Sequence, residues 1–295
     1  MKRTFITCLF CLCGVLCAQR DRFAVAEKQI AALSDTASKS MDVPFKTRCN
    51  DSILRIFNAV LADSRSFAYP FADLKYIGCL YAPDSAFRLI NWNLACPDGS
   101  VSYSCILQTA RGPRGTCGVY AFRSTDTLST NRSGFKKYTD CEWYGALYYA
   151  ILSQTINHKT CYVLLGTDLN DDYSNRKLIE SLYFDESGSP VLGMPVFAMG
   201  GKMYNRIVFE YTERAAFVLH FDQTLNMIVF DHLAATNPLQ DGNYRYYAPT
   251  GLYDGFLSDG KVWTFIPSVN VKNKKIKKKK HSTVIRISTV PAKKS

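Results

Sequence analysis

Recognisable catalytic signatures are what this sequence has least of. Its 295 residues contain no G-x-S-x-G nucleophile elbow, no H-E-x-x-H helix, no Walker phosphate loop and no G-x-G-x-x-G turn. Their absence removes the familiar routes to serine-hydrolase, zinc-protease and dinucleotide chemistry. Histidine is scarce, at four residues. His281 sits in a lysine-rich tail and His158 in a predicted turn. His220 and His232 fall in adjacent predicted strands and could converge. Asp231, next to His232, points to the other face of a strand and cannot simply orient it. Satisfied sheet histidines are the plainer reading. Beyond the first eighteen residues no apolar run approaches the ~20 residues that cross a bilayer, so a membrane-spanning chain is not expected.

What is present is a folded composition: 47% hydrophobic, 13% aromatic with 18 Tyr, 18 Phe and 3 Trp, and 21% charged. This excludes a disordered, collagen-like or coiled-coil protein. The formal charge of +11 is misleading. Lys2, Arg3 and the ten basic residues of 272–295 account for all of it. The body between them holds 24 basic and 25 acidic residues. A specific nucleic-acid interface, which needs basic charge on a folded face, is not expected.

The N-terminus reads as a signal peptide. Lys2 and Arg3 form a positive start, Phe5 to Leu16 an apolar stretch, and Ala18 a small residue at the cut, with Gln19 the first mature residue. Lipidation at Cys17 is the competing reading, but Leu16 is not the small residue that a lipobox wants. Export is the expectation: periplasm, outer-membrane surface or extracellular space. Seven cysteines then remain, none of them in a C-x-x-C pair, which weakens zinc-ribbon and redox readings. Disulfides are permitted outside the cytoplasm. A hairpin turning at Asp98-Gly99 sets Cys96 against Val101 and Cys105 against Trp92, which argues against a Cys96–Cys105 bridge. Buried reduced thiols are the alternative.

Four regions follow: a signal at 1–18, a helical lead at 19–73, an antiparallel β domain at 74–271 and a basic tail at 272–295. In the lead, Phe23, Ala26, Ile30 and Leu33 have helical spacing, and Asn50, Asp51 and Ser52 offer a cap before Ile53, Ile56, Phe57, Val60 and Leu61. From Leu74 the period changes to two. Candidate strands begin with Leu74–Tyr81 and Phe87–Leu94 and end with Lys261–Val269. Val101–Thr109, Gly118–Arg123, Gly145–Ser153, Thr160–Leu165, Leu178–Phe184, Pro190–Phe197, Asn205–Tyr211, Ala215–Phe221 and Asn226–Leu233 lie between, punctuated by Gly, Asn and Asp turns. Glu142–Leu152 also admits a helix. The class is mainly β, an antiparallel meander closed as a barrel, a sandwich or a small propeller. The tail carries a self-repelling lysine block, Lys272 to Lys280, read as disordered. It is either a solvated end or a contact to an anionic surface.

Candidate sites are few. Asp168, Asn170 and Asp172 alternate as in a calcium loop, and hard oxygens suit Ca²⁺. The remaining EF-hand positions fail, with Tyr173 for Gly and Ile179 for Glu, so an Asx-rich turn competes. No other cofactor is indicated. Trp92, Trp143, Tyr144 and Trp263, with Tyr148, Tyr149, Tyr244, Tyr246, Tyr247 and Tyr253, are dense enough for a glycan- or peptide-stacking surface. Sheet packing uses the same residues. A glycosidase needs two carboxylates across a cleft. Glu142, Glu180, Glu210 and Glu213 are available, but their spacing does not pair them. Asp35-Thr36-Ala37, Asp51-Ser52-Ile53, Asp84-Ser85-Ala86 and Asp126-Thr127-Leu128 look like short O-glycosylation acceptors.

Five blocks carry a family resemblance: Arg88 to Asn93 with Asp98-Gly99, Trp143 to Tyr149, Leu164 to Gly166, Ile228 to Leu233, and Tyr253 to Phe256. Over roughly 67–271 the chain resembles an exported family of Bacteroidota bacteria to which no activity is assigned. The resemblance implies export and a single β-rich unit, and it carries over no catalytic residue. The expectation is therefore a non-enzymatic, exported binding or envelope-interaction protein. The alternative is a glycan- or peptide-directed hydrolase using carboxylates of the β domain.

Overall fold

A computed structural model describes the backbone of residues 4–110, 117–124, 134–156 and 158–271, with side chains from residue 22 onward. The expected signal, the Lys-rich tail and the Asp126-Thr127-Leu128 tripeptide lie outside the residues whose side chains are described.

Helix α1 (Thr4–Lys39) is followed by α2 (Val43–Leu61). The cap of α2 is Asp42, whose carboxylate accepts from the Phe45 amide, with Pro44 in the first turn. This corrects the expected start at Asn50–Ser52, three residues that lie well inside the helix. The competing cap at Asp42 is local and strong, and α2 continues through 50–52 because Cys49, Ile53, Phe57 and Val60 keep one face apolar. Together with Phe23, Ala26 and Ile30 of α1, that face packs on Ile90, Trp92 and Ile106 of the first sheet.

Beyond the helices the chain is mainly β. Sheet I joins β1 (Gly78–Tyr81), β2 (Phe87–Ala95), β3 (Val101–Thr109), β4 (Val119–Ser124) and β5 (Glu142–Trp143) in chain order. Sheet II contains β6 (Leu147–Ile156), β7 (Lys159–Asp168), β8 (Ser174–Phe184), β9 (Pro190–Leu192) and β12 (Arg206–Thr212). Its order is β12-β8-β7-β6, with β9 on the far part of β8. Sheet III runs β11 (Lys202–Tyr204), β10 (Phe197–Met199), β16 (Trp263–Ile266), β15 (Tyr247–Ser258), β14 (Met227–Ala235) and β13 (Leu219–Asp222). Pairing is antiparallel except at β4–β5 and β10–β16.

The sheets stack as layers with a core in each gap. Phe87, Leu89, Cys105 and Leu107 of sheet I meet Tyr162, Leu164, Leu178 and Leu182 of sheet II. Val163, Leu165 and Ile179 point the opposite way, onto Ile228, Phe230, Phe256 and Trp263 of sheet III. Alternation along β7 and β8 thus feeds two different cores. A strand covered on both faces reads as a nearly continuous apolar run, as 161–166 does. No closed barrel forms. The Glu142–Leu152 segment is strand rather than helix. The expected strand at 190–197 splits into β9 and β10, and the long β15 has no counterpart among the expected strands.

One buried cation ties the helices to sheet I. Arg88, 0% exposed, donates to the carbonyls of Tyr69 at 2.6 Å and Ser66 at 2.8 Å, to Gln108 at 2.8 Å and to the Tyr81 hydroxyl at 2.9 Å. Phe67, Phe71 and Tyr81 rings surround its guanidinium within 5.2–5.6 Å. Among the described residues it has no carboxylate partner, so carbonyl dipoles and π faces carry the compensation for burial.

Among the described residues no helix is long and apolar enough to cross a membrane.

Candidate functional site: an acidic pocket between two sheets

Antiparallel register builds the centre of the site. On sheet II, Asp168 of β7 lies opposite Arg176 of β8, and Arg176 lies opposite Glu210 of β12. Side chains directly opposite one another share a face, so the three form one row. Arg176 sits 3.5 Å from Asp168 and 3.1 Å from Glu210. The side chains are 12%, 10% and 6% exposed respectively. Ser174 also donates to Glu210 at 3.1 Å. One guanidinium between two largely desolvated carboxylates gives the row a formal charge of −1.

Sheet I supplies the second wall. Tyr103 of β3 donates to Asp168 Oδ1 at 3.1 Å and accepts from the Leu169 amide at 2.7 Å. Tyr144 donates to Asp168 Oδ2 at 3.0 Å. Burial, and then the neighbouring Asp168 charge, push both phenols well above the ordinary tyrosine range, so they act as fixed donors. The loop after β7 closes on itself. Asn170 takes a left-handed φ of 41°, and its side-chain amide donates to Ser174 at 2.7 Å. Asp171 accepts from the Tyr173 and Ser174 amides, both at 2.8 Å. This is the geometry of an Asx-rich turn.

The rim comes from two turns and a distant segment. Gly99, at φ 84°, turns β2 into β3. A Cβ there would stand 3.0 Å from the Asp172 carboxylate, which would have to shift, and the left-handed φ strains any residue but glycine. Asp98 accepts from the Ser100 hydroxyl at 2.6 Å and amide at 3.0 Å, which hold its carboxyl below the ordinary carboxylate range. From the β14–β15 connection, Arg245 reaches Asp171 at 3.5 Å and lies 5.4 Å from the centre of the Tyr173 ring. The half-open cavity so formed is about 540 Å³, within the usual range for small-molecule sites. Five carboxylates and two guanidinium groups line it.

The expected calcium residues Asp168, Asn170 and Asp172 all line this cavity. Two of the three already have protein partners: Asn170 donates to Ser174, and Asp172 alone makes no hydrogen bond to a described residue. Asp168 already accepts from Tyr103, Tyr144, Arg176 and the Asn170 amide. Arg176 is thus the charge partner that the structure shows for Asp168, and the described residues contain no cluster of His, Cys, Asp and Glu arranged for a metal. Of the expected stacking residues only Tyr144 reaches the cavity. Trp92, Trp143 and Trp263 are 4%, 0% and 3% exposed and belong to the three cores. Each packs in a gap between layers, so the three form no surface platform. Exposed rings include Tyr173 at 68%, Tyr244 at 47% and Tyr246 at 41%, and, of the expected set, Tyr149 at 37%.

Other candidates scatter. His220 stands opposite Val229 and does not meet His232. His232 is oriented by Asp254, its Nδ1 lying 2.7 Å from Oδ2, while Asp231 accepts from the Val218 amide. Glu180 pairs with Arg206 in the core. Cys49, Cys79, Cys96, Cys105, Cys117, Cys141 and Cys161 are all free thiols. Cys105 lies opposite Asn91, one residue from the expected register, because the turn begins at Cys96 rather than Pro97. Asp35-Thr36 and Asp51-Ser52 lie within helices, and Asp84 accepts from Tyr162 at 2.7 Å.

Sequence reasoning missed Arg176, Tyr103, Glu210 as a partner of Arg176, and Arg245. No family model matches this chain, and neither the curated proteins nor the solved structures contain a match to it.

Proposed function

We propose that this is an exported, non-enzymatic binding protein that takes a polar ligand, a glycan or a peptide, in the pocket between sheets I and II. The observation that carries the reading is the Asp168–Arg176–Glu210 row. Its carboxylates are tied to a shared guanidinium and to Tyr103, Tyr144 and Ser174 before any ligand arrives. A wall whose hydrogen bonds are already made gives shape and field without reorganising. Both carboxylates of the row are thus already engaged, whereas a hydrolase of this kind needs one at hand for the leaving group.

Hydrolysis is the second reading. Asp172 is exposed and Asp168 buried in the same cavity, so carboxylates in unlike environments do share it. Glycan and peptide arrays probed with the full chain and with Asp172→Asn separate the two. Binding without turnover, weakened about tenfold or more by Asp172→Asn, supports the binding protein, because a hydrogen bond to a charged group contributes about 1.5–3 kcal/mol. Turnover of a glycoside or peptide that Asp172→Asn abolishes establishes the hydrolase. The tail at 272–295 is proposed as an auxiliary contact to anionic surfaces, and its removal should leave pocket binding unchanged.

A further inference from the structure

Resting on the binding reading above, we infer that the pocket's ligand is a saccharide without acidic groups, seated against Asp98 and Asp172 and laid along Tyr173. The inner wall is saturated. Asp168 accepts from four donors, and Tyr103 both donates and accepts. What remains to meet a ligand lies at the mouth, and it is mostly acceptor. Asp172 is exposed and hydrogen-bonds to no described residue, while Asp98 uses one oxygen for Ser100 and leaves the other. Free acceptors select a ligand rich in donors, such as sugar hydroxyls or an amino group.

Charge narrows the choice. Five carboxylates against two guanidinium groups give the lining a formal −3. Uronates, sulfated sugars and phosphorylated sugars meet repulsion there. The rim then supplies the apolar contact that a pyranose ring offers through its C–H faces. Tyr173 is 68% exposed at the lip, held in place by Arg245 at 5.4 Å, which is itself anchored by Asp171. Tyr244 and Tyr246, the chain neighbours of Arg245, are exposed as well, at 47% and 41%. The same repulsion disfavours an acidic peptide, and any other peptide is set against the saccharides in the titration below.

The test is calorimetric titration of the full chain with oligomers of glucose, N-acetylglucosamine, glucosamine and galacturonate, and with a mixed peptide library. Tyr173→Ala and Asp172→Asn are measured in parallel, with circular dichroism to confirm folding. The expected result is binding of at least one of the three non-acidic oligomers and none of galacturonate. Tyr173→Ala should weaken that binding roughly three- to tenfold, the scale of one aromatic contact. Galacturonate binding as tightly as the others overturns the inference, and so does insensitivity to Tyr173→Ala. Peptide binding without saccharide binding overturns it and leaves the binding protein standing. Failure of both ligand classes ends both readings.

Discussion

The ion pair beneath the pocket offers the sharpest test of the layered core. Glu180 of β8 and Arg206 of β12 lie directly opposite each other, and both side chains are 0% exposed. Tyr148 also donates to Glu180. The Arg206 guanidinium lies 4.6 Å from the Tyr138 ring centre and 5.6 Å from that of Tyr144, the residue that reaches Asp168 in the pocket wall. Arg206→Met preserves most of the aliphatic stem and strips the cation from a fully buried carboxylate. Stranding one member of a buried pair costs about 3–5 kcal/mol. For a chain of this size each kcal/mol moves the midpoint by about 2–4 °C, so Tm should fall by roughly 6–20 °C. Adding Glu180→Leu removes the stranded charge. The double variant should then recover most of the loss, short of about 1 kcal/mol for the Tyr148 hydroxyl that has lost its acceptor. Thermal and urea unfolding of the wild type, both single variants and the double close the cycle. A single variant that loses less than about 1 kcal/mol, or a double variant as costly as the two singles added together, would refute the argument that desolvation dominates this site.

Arg88→Met should cost about 3 kcal/mol or more, because it orphans the Ser66 and Tyr69 carbonyls and Gln108 at once. Hydrogen exchange should show α2 and the 64–68 turn losing protection before sheet II does. Tryptophan emission should be blue-shifted and poorly quenched by iodide, and should stay so on ligand binding; strong quenching would contradict the burial of Trp92, Trp143 and Trp263. Stability should fall steeply in alkali. Burial pushes the Cys161 thiol from 9.0 up to about 12 and the Tyr211 phenol from 10.0 up to about 12. Both are neutral in the fold, so their contribution is complete below pH 9 and is lost as pH rises through about 12. Cys161→Val should flatten the part of a Tm-against-pH profile that begins near pH 9, and an unchanged profile would count against the buried thiol.

The legible part of this fold is the part written in periodicity. β3 occupies Val101–Thr109 as the alternation predicts, and β2, β7 and β14 differ from expectation only at their ends. β15 was illegible because Pro249, Gly251 and Gly255 read as breakers. Each has a place in three dimensions. The register shift between Asp231 and Leu233 accommodates the 249–253 stretch, and at Gly255 a Cβ would stand 2.5 Å from the Met227 sulfur. The tryptophans misled for a related reason: whether an aromatic strand residue is buried depends on what covers its sheet, and that is a property of the layers rather than of the strand.

The site itself left a signal in the chain, of a kind that periodicity does not reveal. β8 carries Arg176-x-x-x-Glu180 and β12 carries Arg206-x-x-x-Glu210. Four residues is two full periods of a strand, so each pair lies on one face. Laid antiparallel in the observed register, the two segments are self-complementary: Arg176 meets Glu210 and Glu180 meets Arg206. A one-residue slip of β12 would turn Arg206 and Glu210 onto the opposite face, among Val163, Leu165 and Ile179, and take them away from Glu180 and Arg176. The same four residues therefore fix the register of the central sheet and place one ion pair deep in the core, and the other, with Asp168 added, at the wall of the cavity. The charged residues of an apolar strand are thus where its pairing and its site are specified together, and a reading that pairs like-spaced charges between strands would have found Arg176.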